Sequence, residues 1–308
     1  MIKIRGFVKR FEQFVAVDHL DLDIEQGDVF GFIGPNGAGK TTTIRFLATL
    51  LKPTSGQAEI NGYSVTRQID DVKRSIGFMP DTFGVYDGMK VWEFLDFFAT
   101  AYGLPRSKRR ALIDDVLDLV DLHNKKDSLV NGLSRGMQQR LCLAKTLVHN
   151  PPVLILDEPA SGLDPRARVE MKALLKELQK MGKTILVSSH ILPELADFCN
   201  KIGIIERGKL LAAGPVQDVI HSIRQNRVIE IVVAGDAEAC EVTLAHHSQV
   251  RNLVSAEKRF KFEFVGNDDD VLELHKNLIM QNIPVIWFNE VAADLEEAFM
   301  KITKGLVA

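Results

Sequence analysis

Gly34-Pro35-Asn36-Gly37-Ala38-Gly39-Lys40-Thr41-Thr42 constrains this chain more than any other stretch. It matches the pattern G-x-x-x-x-G-K-[ST] without a gap. The apolar run Val29-Phe30-Gly31-Phe32-Ile33 precedes it and reads as a buried strand. Thr42-Thr43-Ile44-Arg45-Phe46-Leu47 follows it and reads as the first turns of a helix. A strand, a glycine-rich loop and a helix together predict a phosphate cradle. Glycines let the backbone approach an anion closely. The loop N–H groups and the helix N-terminus then face that anion. Lys40 is expected to reach the β- and γ-phosphates of a nucleotide, and the Thr41 hydroxyl to sit on Mg2+.

Composition excludes several other classes. The chain has 308 residues, enough for one large domain and a small one. Its net charge is −3, which offers nucleic acid no general electrostatic grip. No apolar run approaches the roughly 18 residues of a membrane span, and Met1-Ile2-Lys3-Ile4-Arg5 does not open a signal peptide. Cys142, Cys199 and Cys240 stand far apart with no zinc or redox spacing, so they are expected to be small buried hydrophobes in a reducing cytoplasm. His246, His247 and His275 have no ligand partners nearby in sequence, and Asp268-Asp269-Asp270 suits a helix N-terminus better than a metal.

Alternation of apolar and polar residues to about residue 30 predicts two or three strands of an antiparallel flap. Strands are also predicted at Ala58–Gly62 and Arg74–Pro80. From about 84 to 150 the pattern turns helical. Helices are expected over Val91–Tyr102, Arg109–Leu122 and Ser134–Val148, forming a helical subdomain. Buried parallel strands return at Val153–Leu156 and Thr184–Val187. These features give an α/β fold with a β/α core over residues 1–220. Residues 221–308 form an accessory α+β domain of roughly β-α-β-β-α-β order.

Val153-Leu154-Ile155-Leu156-Asp157-Glu158 is a buried strand ending in two carboxylates. Asp157 at that end can orient Mg2+, and Glu158 can polarise a water toward the γ-phosphate. Leu133-Ser134-Arg135-Gly136-Met137-Gln138 opens a helix with Ser134 as N-cap and Gly136 in its first turn, a second phosphate-binding end. Taken in order with Ser161-Gly162-Leu163-Asp164 and with His190 after Ser188-Ser189, these motifs resemble the nucleotide-binding subunit of an ABC transporter. The P-loop, the signature, the Walker B strand, the D-loop and the switch histidine occur in the family's sequence. The signature reads Leu-Ser-Arg-Gly-Met where the family usually has L-S-G-G-Q, a variant similar to the bacterial drug, polysaccharide and heme-type exporters. Leu295–Phe299 resembles the tail of that group.

The resemblance implies a Mg2+-dependent P-loop ATPase whose β/α core is RecA-like. Two copies would pair head to tail as a homodimer, with ATP between the P-loop of one and Ser134 and Gly136 of the other. It assigns Glu158 as catalytic base, with His190 holding Glu158 and the water, and Asp164 acting across the dimer contact. Phe11 is expected against the adenine. Asp81 stands where the family usually has glutamine, and is expected to meet the Mg2+ through a water. The chain itself would be cytoplasmic and peripheral on the inner face of the membrane, joined to a separate integral permease near Phe83, Tyr86 and Trp92. The permease would handle the substrate. The alternative is a soluble ABC ATPase acting on ribosomes or nucleic acid, which usually carries two cassettes or a long coiled-coil insertion. An RNA-binding tail built on Phe260, Phe262 and Phe264 is disfavoured by charge, since seven basic and fourteen acidic residues follow from Val228. No N-K-x-D motif follows the Walker B strand, which argues against a GTPase.

Overall fold

A computed structural model of the chain describes residues 1–82, 84, 88–223, 227–235 and 237–291. The chain divides into two compact units, Met1–Val216 and a second beginning at Gln217. The first opens with strands β1 (Ile2–Phe11) and β2 (Phe14–Ile24). Their antiparallel pairing turns at Glu12, whose φ is 52°. Alternate residues Ile2, Ile4, Leu20, Leu22 and Ile24 are buried, as one face of a half-covered sheet requires. Strand β3 (Val29–Ile33) is buried along its whole length and runs through the glycine loop into helix α1 (Lys40–Leu47). Strands β4 (Ser55–Ile60) and β5 (Tyr63–Ser64) then extend the flap to the order β2-β1-β4-β5. The flap is thus larger than the first thirty residues suggest. Phe7 of β1 stacks on Phe46 of α1 with ring centroids 4.1 Å apart, which fastens the flap to the helix behind the loop.

Helix α2 (Ile69–Ser75) leads directly into strand β6 (Ile76–Met79). The strand expected from Arg74 therefore begins two residues later. Asp70 and Asp71 in the first turn and Lys73 and Arg74 in the last complement the helix dipole, so this segment favours a helix. Helices α3 (Val91–Ala101), α4 (Arg106–Leu119) and α5 (Arg135–Leu147) form the helical subdomain. Helix α4 starts after Pro105, and the left-handed φ of 54° at Asp121 lies just beyond its end. The core resumes with β7 (Val153–Leu156), α6 (Pro165–Lys180), β8 (Thr184–Ser189), α7 (Leu192–Ala196), β9 (Lys201–Glu206) and β10 (Lys209–Pro215). The central sheet has the order β10-β9-β3-β8-β7-β6. All neighbours are parallel except β10, which is antiparallel to β9.

After α8 (Val216–Ile223) come β11 (Arg227–Val233), α9 (Ala237–His246), β12 (Val250–Ala256), β13 (Arg259–Phe264), α10 (Asp268–Met280) and β14 (Val285–Val291). The sheet order is β12-β13-β11-β14, every pair antiparallel. Strand β12 completes the split-βαβ arrangement. Phe260, Phe262 and Phe264 share a core with Cys240 and Leu244 of α9 and Leu274 and Leu278 of α10. They are buried to within 1% and offer no base-stacking surface. Asn267 and Asp270 cap α10 reciprocally at 3.0 and 2.8 Å, so the acidic triplet is a helix start.

Cys142, Cys199 and Cys240 are buried and unpaired. Burial pushes the Cys142 and Cys240 thiols up to about 11, and Cys199 above its ordinary range. The native protein should resist iodoacetamide at pH 8, while the urea-unfolded chain should take it at all three sites by mass spectrometry. Prompt labelling of the native chain would contradict this packing.

Candidate active site

The chemistry gathers at one edge of the central sheet. The glycine loop follows β3, Asp157 and Glu158 follow β7, His190 follows β8, and Asp81 lies just past β6. The order β3-β8-β7-β6 makes these strands neighbours. Their register brings Ile33 opposite Ser189, and Leu156 opposite both Val187 and Met79. The resulting cleft of about 400 Å³ is lined by Pro35–Thr42 together with Phe11, Phe14, Asp81, Glu158, Ser161 and His190. Gly34 begins the turn beneath it.

Two glycines in the loop are required by geometry. A Cβ on Gly34 would lie 2.3 Å from the Ile205 carbonyl oxygen. Gly39 has φ 108°, and a Cβ there would lie 2.7 Å from the Ala16 carbonyl oxygen. The loop therefore packs backbone to backbone against neighbouring strands. Lys40 is only 5% exposed. Its Nζ donates to the carbonyls of Gly34 at 2.6 Å and Pro35 at 3.3 Å, and lies 3.4 Å from Glu158 Oε1. Burial lowers the Lys40 pKa, and the Glu158 carboxylate opposes that shift.

Asp157 is 1% exposed. Burial raises its pKa, against the pull of hydrogen bonds from the Ser188 and Thr41 side chains. Ser188 Oγ donates to Asp157 Oδ1 at 2.6 Å and accepts from the Glu158 N–H at 2.9 Å. One hydroxyl thus fixes both acidic residues. It does so where the backbone is under strain, since Glu158 has φ 50° without being glycine. His190 Nδ1 lies 3.0 Å from Glu158 Oε2. Glu158 is therefore held between an ammonium and an imidazole.

Asp157 and Thr41 supply hard oxygens, and Asp81 stands close enough to act electrostatically on both Lys40 and Asp157. Among the described residues no group of three or more His, Cys, Asp or Glu forms a metal cage. That suits Mg2+, which is usually held by one or two carboxylates, waters and substrate phosphates. Phe11 is 47% exposed at the flap turn and pairs across it with Phe14, 61% exposed. Phe14 and Ala16 were not anticipated as cleft residues. The signal for Phe14 was its place opposite Phe11 in a tight hairpin.

Ser134, Gly136 and Asp164 are not in this cleft. They line a second one with Arg135, Arg140 and Glu170. Ser134 Oγ accepts from the Met137 N–H at 3.4 Å, and Asp164 Oδ1 accepts from the Ala167 N–H at 2.9 Å. Within one chain both therefore cap helices. Phe83, Tyr86 and Leu295–Phe299 lie outside the described residues.

The ABC transporter family model matches residues 17–161. The bacitracin transport ATP-binding protein BcrA of Bacillus licheniformis is 35% identical, with 99% of this chain and 98% of the relative covered. The chain belongs to the ABC transporter ATP-binding family. The Nod factor export ATP-binding protein I of Burkholderia thailandensis is also 35% identical, over 96% of this chain and 94% of its own. A solved bacterial cassette in a post-hydrolysis state with ADP and Pi superposes with TM-score 0.64 and 26% identity, covering 70% of this chain and 99% of that one. This ABC cassette is accordingly an ATP-binding, ATP-hydrolysing transporter subunit. No helix among its described residues is long and apolar enough to cross a membrane.

Replacing Ser188 by Ala leaves the Asp157 oxygen and the Glu158 N–H short of a partner. A loss of ~1–3 kcal/mol is expected in urea unfolding, with little change in the size of the cooperative transition. Unaltered stability would mean that the two groups find other partners.

Proposed function

We propose that the cassette drives export through a separate membrane permease, as one half of a head-to-tail pair with a second copy, at the cytoplasmic face of the membrane. The division of residues between two clefts carries this reading. Lys40, Glu158 and His190 line one, Ser134 and Gly136 another. An ATP site that uses both sets needs two chains. Dimerisation of a related cassette supports the pairing. The name of one relative, for Nod factor export, supports the direction.

In this reading ATP stacks its adenine on Phe11 and lays its phosphates along the N–H groups of Gly37, Gly39, Lys40 and Thr41. The Lys40 ammonium lies 3.4 Å from Glu158 in the free cassette. Phosphate oxygens compete for that ammonium, so nucleotide entry releases the carboxylate. Glu158 then accepts the proton of the attacking water. His190 keeps the carboxylate turned toward that water. Ser134 and Gly136 of the second copy close on the γ-phosphate with a helix N-terminus, while Asp164 acts at the contact between copies. Thr41 and Asp157 would hold Mg2+, with Asp81 beside them. When bound with ATP the ion neutralises charge on the β- and γ-phosphate oxygens.

Glu158→Gln keeps the shape and loses the base. Its kcat should fall roughly 10²–10⁴-fold, and the variant should run on gel filtration as an ATP-dependent dimer. Turnover at the normal rate would remove Glu158 from this role, and an ATP-loaded monomer would remove the pairing.

Asp81→Asn separates ion sensing from plain turn capping, because asparagine caps as well but carries no charge. The Mg2+ concentration for half-maximal ATPase should rise, with affinity for a fluorescent ATP analogue little altered. An unchanged Mg2+ dependence leaves Asp81 as a cap.

A further inference from the structure

The D-loop, Ser161–Asp164, and the turn carrying His190 face each other across a cavity of about 170 Å³, whose walls include Gly162, Met171, Leu175, Ile191 and Phe198. Apolar packing between the two segments is therefore incomplete at this point. A chain of polar contacts crosses instead. Arg168, in the first turns of α6, donates from Nε to the Leu163 carbonyl at 3.1 Å and from Nη1 to Glu194 Oε1 at 2.8 Å. Glu194 on α7 accepts at Oε2 from Ser189 Oγ at 3.4 Å. The same Ser189 hydroxyl accepts from the Ile191 N–H at 3.1 Å. It therefore bridges the residues on either side of His190, which contacts Glu158 at 3.0 Å. At the far end of the D-loop, Arg135 Nη2 donates to the Ser161 carbonyl at 3.4 Å.

We propose that Arg168 and Glu194 are positioning residues that tie the D-loop to the His190 turn, so that displacement of the D-loop is transmitted to the His190–Glu158 pair. The inference rests on the reading of Glu158 as base and His190 as its holder. The chemistry suits the task. A planar guanidinium serves two acceptors at a fixed angle, and a flexible ammonium does not. The pair is partly shielded, with side chains 38% and 15% exposed, unlike the solvated ion pairs that contribute little. Neither residue lines the cleft of Lys40 and Thr41. Loss of the link should therefore slow turnover without weakening nucleotide binding. A simple staple between α6 and α7 would do the reverse, lowering stability and leaving turnover alone.

The test compares the full chain with Arg168→Ala, Glu194→Ala, their double variant, Arg168→Lys and Glu194→Gln. Steady-state ATPase, affinity for a fluorescent ATP analogue and thermal unfolding are measured for each. Each alanine variant should lose kcat about tenfold, with KM for ATP and analogue affinity within about twofold. The double variant should be no slower than the slower single one, since both changes break one chain of contacts. Arg168→Lys should be slow while melting like the wild type. If the alanine variants do not fold, the lysine and glutamine variants decide. Normal kcat in those two, or multiplicative losses in the double variant, overturns the proposal. A wild type without ATPase activity overturns the reading of Glu158 and this link with it. An active wild type with equally active variants overturns this link alone.

Discussion

Parallel strands end on the same side of a sheet, and the pairing of β3, β8, β7 and β6 aligns those ends closely. Ile33 faces Ser189, Leu156 faces Val187, and Met79 faces Leu156. Val187, Leu156 and Met79 end the apolar runs of β8, β7 and β6 at one level, and Ile33 of β3 lies two residues further along, so the polar residues that follow emerge on one side. Ligands in open α/β sheets lie at this carboxyl edge, where neighbouring connections diverge. A slip of one residue in any pair would exchange buried and facing side chains and carry Asp157 or His190 away from Lys40. The apolar runs of these strands thus act as a ruler for a site whose charged groups all follow them in the chain.

That precision matters because the site concentrates charge where water is scarce. Lys40 and Asp157 are 5% and 1% exposed. Burial opposes the charged form of both, lowering one pKa and raising the other. Such groups remain tolerable only when partnered. Lys40 uses two loop carbonyls, and Asp157 uses hydroxyls. These partners are weak enough for phosphate oxygens and a cation to replace. The left-handed backbone of Glu158 belongs to the same economy of positions: strain at a non-glycine residue is held by the Ser188 hydroxyl beneath it.

Much of this was legible in the chain. The glycine loop, the apolar run ending in Asp157-Glu158 and His190 after two serines are local patterns, and parallel strands leave them side by side. The second unit's strand and helix order also follows from local alternation. What could not be read was set by contacts between distant segments. β4 and β5 join the flap because β1 offers an edge to them. Phe14 enters the cleft through a turn two residues long. Ser188 serves both acidic residues only because β7 and β8 are neighbours. The Phe260, Phe262 and Phe264 stripe was visible as a face, but whether helices or solvent cover a face depends on the rest of the domain.

The two clefts of one chain are separate in composition but meet in one segment. Ser161 lines the cleft of Lys40 and Glu158, whereas Gly162, Leu163 and Asp164 line the cleft of Ser134 and Gly136. In a head-to-tail pair, the first cleft would receive one copy's nucleotide and the second would close on the partner's. Among the described residues, the D-loop would then be the short stretch that borders both. A rigid loop there would decouple the two sites. A loose one would carry no information between them. Carbonyls fastened by side chains on two different helices, Arg135 on α5 and Arg168 on α6, give an intermediate: a segment free to shift, but only together with the helices that hold it.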